Sequence, residues 1–123
     1  MMNLLWIGGF GLAGIFSRYG LDLYLQNRVQ DFPLSTFLIN VVGAFCAGLI
    51  YTLYERQEIS TVLQLGLLVG FCGGFTTFSA FSLQTFQMID KEKLGMAFAY
   101  LFLSPLLGLL AASIPILISR RLA

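Results

Sequence analysis

The polar residues of this 123-residue chain gather into three short clusters and the two ends, and nearly everything between them is apolar. Leu4 to Leu25 is the first apolar run, interrupted late by Arg18 and Asp22, and the polar turn NRVQDFP after it closes on a proline. Leu34 to Tyr54 is the second run. ERQEIS separates it from the third, Thr61 to Ile89, with Ser60 placed to cap a helix start. DKEK leads into the fourth, Leu94 to Ser119, which holds Pro105 and Pro115 and ends at Arg120 and Arg121. Apolar runs this long, without strand-like alternation, predict helices that cross a bilayer, where internal prolines are better tolerated than in water. The pattern predicts an all-α integral membrane protein, one four-span domain over residues 1–123, with the N-terminus retained and no exported soluble domain.

The third run is too long for one simple crossing. Its 29 uncharged residues would extend roughly 43 Å as a helix, against a hydrocarbon core of ~30 Å. It must tilt steeply, protrude or break. The string GGFTTFSAF at residues 73–81 predicts a break near residues 73–77, because adjacent glycines, threonines and serine are poor choices for a helix that only sits in oil. Unwound backbone at that depth survives when it is buried in protein or lines a polar cavity, and its freed carbonyls suit a hard cation. Alternatively, Gly70 and Gly74 form a GxxxG packing ridge, a reading that accounts for the glycines but not for the hydroxyl residues.

Composition excludes several classes of function. Hydrophobic residues make up 58% of the chain and charged residues 11%, which a soluble protein of this size could not bury. There is no histidine, and no carboxylate or cysteine cluster has metal-ligand spacing. Cys46 and Cys72 fall within spans, where a thiol behaves as a small hydrophobe. Hydrolytic, redox and zinc chemistry therefore have no side chains to run on, and the chain reads as a non-enzyme. Its expected surroundings are lipid, not nucleic acid.

Four spans put both termini on one side. Arg56, Arg120 and Arg121 then face Arg28, Lys91 and Lys93 across the membrane, with Arg18 joining the second group if it reaches that interface. So balanced a count gives the positive-inside rule no orientation to prefer. Insertion in both orientations, and hence an antiparallel homodimer, is open to such a chain unless other topogenic signals decide.

Polar residues within the spans narrow the function. Thr36 and Asn40 share a helix face that continues through Gly43, Ala44, Ala47 and Gly48, a surface built for close packing. Asn40 reads either as interhelical glue or as a neutral N–H donor to an anion. Phe75, Phe78 and Phe81 would form a stripe on a continuous helix, with Ser79 and Ser82 beside it. Such a stripe contacts lipid or core, or presents positive ring edges to a small anion. Arg18 reads either as an interfacial anchor or as an anion-attracting vestibule residue.

The third-span string GGFTTFSAFS, the second-span STFLIN, and Arg18 with Tyr19 after it resemble the Fluc (also called CrcB) fluoride channels, over essentially the whole chain. The resemblance implies an antiparallel dual-topology dimer in the inner (plasma) membrane, with two pores that export fluoride passively and protect microbes from it. It implies that Phe78 and Phe81 turn ring edges to fluoride, that Asn40 donates to it, and that Thr36 and Ser79 are neighbouring polar positions. Gly73 and Thr76 match residues whose backbone carbonyls, from both subunits, hold a central structural sodium ion. Arg18 matches a vestibule arginine.

The chain departs from the family pattern at several positions. Ala80 and Gln84 stand where Thr and Glu are common. A fourth-span hydroxyl ladder reads here as Ser104, Gly108, Ala112, leaving one rung, with Ser113 near Pro115 a candidate substitute. These losses keep open a second, complementary subunit in a heterodimer, or a non-transporting structural role. A small proton-coupled drug exporter is the rival from another class, but it needs a carboxylate buried within a span, and the nearest candidate is Asp22.

Overall fold

A computed structural model describes residues 1–26 and 28–123 of the chain. Asn27, the first residue of the predicted NRVQDFP turn, lies outside the described residues. The chain forms α1 (Met2–Leu25), α2 (Leu34–Glu55), α3 (Thr61–Leu65), a π-helical segment (Gly66–Cys72), α4 (Gly73–Phe75), α5 (Phe78–Asp90) and α6 (Leu94–Leu122). The segments from Thr61 to Asp90 together make the third span, and all four spans are long and apolar enough to cross a membrane. Spans one and four extend a turn or less beyond the apolar runs, to Met2 and Leu122, because helical hydrogen bonding continues through the polar flanks. Pro105 and Pro115 lie inside α6.

Spans that run in the same direction pack closest. A Cβ on Gly48 of α2 would lie 2.1 Å from the Ala112 carbonyl oxygen of α6, while the Gly108 position lies 3.8 Å from Ala44. The small-residue face of α2 is therefore closely packed, as its composition implied; the structure shows that Ala44 and Gly48 seat α6 while Gly43 meets Thr76 of the third span. Likewise, α1 lies on the upstream half of the third span, which runs in its own direction. There, Cβ atoms on Gly70 and Gly74 would lie 2.6 and 2.5 Å from the carbonyl oxygens of Ile7 and Gly11. The GxxxG ridge reading is thus correct for these glycines.

The break is where the sequence places it, but the glycines do not make it. Gly73 is αR, with φ −63° and ψ −37°, and helical hydrogen bonding persists to the Thr76 N–H, which donates to Cys72 at 2.9 Å. The chain becomes extended only at Thr76 (φ −85°, ψ 157°) and Thr77 (φ −148°, ψ 116°). Phe75 consequently belongs to the upstream half, buried and stacked on Phe71 at 5.5 Å, and does not share a stripe with Phe78 and Phe81. The π-helical turn before the break has no counterpart in the sequence reading. In it, the Gly73 N–H reaches the Leu68 carbonyl five residues back.

A small aromatic core ties the downstream half to the fourth span. Phe81, Met88, Ala97 and Tyr100 are buried together, with Phe32, Phe37 and Met96 packed against them. The Phe81 and Tyr100 rings lie 5.0 Å apart. On the same end of the bundle Lys93 pairs with Asp31, which joins the first and third loops on one side of the membrane as four crossings require. The Lys93 ammonium holds the Asp31 carboxyl below its usual range, so this contact persists into mildly acidic solution and is lost as pH falls through the lowered value.

Among the described residues, two helix ends use a left-handed residue that is not glycine. Gln57 (φ 58°) follows α2 and Glu92 (φ 57°) follows α5. In both, the next N–H bonds to the carbonyl five residues back, Glu58 to Leu53 at 2.9 Å and Lys93 to Met88 at 2.8 Å. Side chains adopt this conformation at a cost of about 1 kcal/mol. Glu92→Gly is therefore expected to raise the melting temperature of the purified protein by a few degrees, read by thermal unfolding in detergent; an unchanged or lower value would show that the turn is unstrained.

Candidate functional site

The break is built by side chains from outside the third span. Asn40, on the small-residue face of α2, accepts the Thr77 N–H at Oδ1 (2.8 Å) and donates Nδ2 to the Thr77 carbonyl (3.2 Å). Its amide pairs with both backbone groups of one extended residue, as a neighbouring strand would. One Nδ2 hydrogen remains. Thr77 also caps α5, accepting the Ala80 N–H at Oγ1 (3.2 Å), and its hydroxyl lies 3.2 Å from Ser79 Oγ.

These contacts determine which carbonyls are released. In a continuous helix the Thr77 and Ala80 N–H groups would bond to Gly73 and Thr76, and here both are engaged elsewhere. The Gly73 and Thr76 carbonyls are therefore without their helical donors. Nothing comes within 4 Å of where a Gly73 Cβ would be, so Gly73 faces open space in the single chain. Carbonyl oxygens are the donors a hard cation takes, so the set fits sodium in kind. Two carbonyls per chain are too few for a complete cage.

Beside the break lies a cavity of about 400 Å³. It brings together Asn40, Thr76, Thr77, Phe78, Phe81 and Ser104, with Gly43, Ala44 and Gly108 among the small residues that make room. Among the described residues the Ser104 hydroxyl makes no protein hydrogen bond. Phe78 and Phe81 have ring centroids 6.0 Å apart, but their settings differ: Phe81 is 8% exposed and Phe78 is 79% exposed. Among the described residues, no charged side chain lines the cavity. Polarity comes from neutral donors and from α5, whose N-terminus opens here and carries partial positive charge.

The remaining expected positions fall around the cavity, not in it. Thr36 is buried and accepts Gln84 Nε2 at 2.9 Å, and Gln84 Oε1 in turn accepts the Tyr100 hydroxyl at 3.1 Å. Gln84 also lines a second cavity of about 210 Å³ with Lys91 and Lys93 at the loop end, so this hydrogen-bonded row stands between that mouth and the central cavity. Tyr100 and Thr77 are the members the sequence reading missed. Tyr100 could have been found one helical turn before Ser104; nothing local distinguishes Thr77 from Thr76. Ser79 is exposed. Ser113 donates to the Leu110 carbonyl at 2.8 Å, so it does not replace the absent ladder hydroxyls. Arg18 donates Nε to the Gly74 carbonyl at 3.1 Å. Asp22 accepts the Ser35 hydroxyl near the end of α1 and does not line the central cavity, which leaves a proton-coupled exporter without its carboxylate.

Comparison with known proteins finds relatives over nearly the whole chain. Residues 5–116 match the family described as CrcB-like protein, Camphor Resistance (CrcB). The chain is 38% identical to the fluoride-specific ion channel FluC of Geotalea uraniireducens (strain Rf4), over 99% of this chain and 100% of that one. It is 36% identical to the protein of the same name from Flavobacterium psychrophilum, over 99% and 100%, and 34% identical to that of Ignicoccus hospitalis, over 99% and 98%.

Proposed function

This chain belongs to the CrcB family, and from that premise we propose that it is a passive, fluoride-selective channel that lets fluoride leave the cell and so limits its toxicity. It is a multi-pass membrane protein and not an enzyme. In our reading it resides in the plasma (inner) membrane as an antiparallel dual-topology homodimer, with two pores and a structural sodium at the subunit interface.

The observation that carries the reading is the uncharged cavity at the break. Fluoride is small and strongly hydrated, so its water must be replaced by several weak donors; a lysine or arginine in the path would trap it. The free Nδ2 hydrogen of Asn40, the Ser104 hydroxyl and the ring edges of Phe78 and Phe81 are donors of this kind. Thr36 contributes through its bond to Gln84, and Ser79 through its contact with Thr77. Phe78, largely exposed in one chain, acquires a purpose if it enters a pore completed by the second copy. Sodium, when bound by the Gly73 and Thr76 carbonyls of both copies, would supply a fixed positive charge that holds the two broken spans together.

The loss of ladder hydroxyls at Gly108 and Ala112 favours one alternative, a subunit that conducts only beside a complementary partner. Fluoride efflux from liposomes holding the purified chain alone, with chloride as control anion, separates the two. Rapid fluoride efflux with chloride retained is the expected result and makes the homodimer a complete channel. No efflux from folded, dimer-sized protein would point to a required partner, and equal efflux of both anions would end the selectivity reading.

A further inference from the structure

Arg18 occupies an unusual place for an arginine within a membrane span. It lies one turn beyond Gly14 on the face of α1 that meets the third span, where a Cβ on Gly14 would lie 2.3 Å from the Phe71 carbonyl oxygen. The backbones are so close that the next side chain along this face reaches the break itself. Its Nε donates to Gly74 at 3.1 Å, half-buried, and it forms no salt bridge among the described residues.

We propose that Arg18 is a positioning residue of the broken third span: it caps the upstream half at Gly74, stabilises the extended Thr76–Thr77 link, and removes the Gly74 carbonyl from the set a cation can use. The upstream half ends in carbonyls and carries partial negative charge, so a guanidinium there is bound by the helix end in place of a carboxylate. Asn40 satisfies Thr77 from one side, and Arg18 satisfies Gly74 from the other. Gly73, Phe75 and Thr76 then keep carbonyls without a donor among the described residues, the Gly73 and Thr76 pair among them. The last point rests on the sodium reading above; the capping itself does not. An arginine that only attracts anions would stand free in a water-filled mouth, whereas the Nε of this one is bonded to a backbone acceptor.

The test compares wild type, Arg18→Gln and Arg18→Lys by hydrogen–deuterium exchange over residues 76–80, in sodium chloride and in N-methylglucamine chloride. Loss of a hydrogen bond from a charged donor is expected to speed exchange of the Arg18→Gln protein in this segment about tenfold in both salts. Arg18→Lys, which keeps the charge but not the guanidinium, is expected to fall between. Wild-type exchange in Arg18→Gln, accompanied by efflux that falls only at low ionic strength, would overturn the proposal and make Arg18 an attractor. Should Arg18→Gln fail to fold, Arg18→Lys decides alone: faster exchange supports the cap, and wild-type exchange refutes it. If wild type exchanges identically in both salts, the sodium reading fails while the Arg18 comparison still stands.

Discussion

Phe78→Ile is expected to give a folded, dimeric protein whose fluoride efflux is about five- to tenfold slower than wild type, the loss produced by removing one favourable aromatic interaction of about 1–1.5 kcal/mol. The protomer hardly uses this ring for stability, since 79% of Phe78 is exposed, so a change in transport cannot be ascribed to a collapsed core. Phe81→Ile should slow efflux as strongly but also cost up to about 1.5 kcal/mol of stability, because Phe81 packs on Tyr100 in the aromatic core. Isoleucine keeps the bulk and apolarity of the site and lacks only a ring with a positive edge. Efflux measured beside dimer retention on gel filtration decides the matter. Wild-type rates in both variants would show that the rings merely fill space.

Asn40→Ala is expected to abolish conduction and to remove any sodium-dependent gain in thermal stability. The substitution strips partners from both backbone groups of Thr77, each worth about 1–3 kcal/mol when left unpaired in the membrane. The cheapest repair is for the Thr77 N–H to turn to the Gly73 carbonyl, which closes the helix and uses up an oxygen proposed for sodium. Asn40→Asp is the sharper companion, since it keeps an acceptor for the Thr77 N–H but sets a carboxylate oxygen against the Thr77 carbonyl and against any anion. Thermal unfolding in sodium and in N-methylglucamine chloride, with efflux alongside, reads both variants. An Asn40→Ala protein that still melted higher in sodium would show that the break holds without this amide.

Several parts of this architecture were legible in the amino-acid order, and the reason differs from part to part. Span positions follow from the bilayer as solvent, which demands long uncharged runs and sends Arg56, Asp31 and Lys93 to the loops. The site of interruption was legible because GGFTTFSAF is a poor helix in a span already too long. Which residues unwind was not, since glycine allows a bend without requiring one, and Gly74 is held helical by its fit to α1 while Thr77 is held extended by Asn40. The Phe75, Phe78, Phe81 spacing misled for the same reason, because periodicity assumes an unbroken helix.

Amino-acid order alone settles the solvent, the number of crossings, the close-packing small-residue face of α2, and the absence of groups for enzymatic chemistry. Each of these depends on composition or on spacing within one helix. It takes the folded chain to show that Asn40 spends most of its amide on Thr77, that Arg18 reaches Gly74, and that Thr36, Gln84 and Tyr100 form one row. Those are contacts between spans far apart in sequence, where a hydrogen bond depends on tenths of an ångström in helix approach. That approach is set by where Gly14, Gly48 and Gly74 let backbones meet.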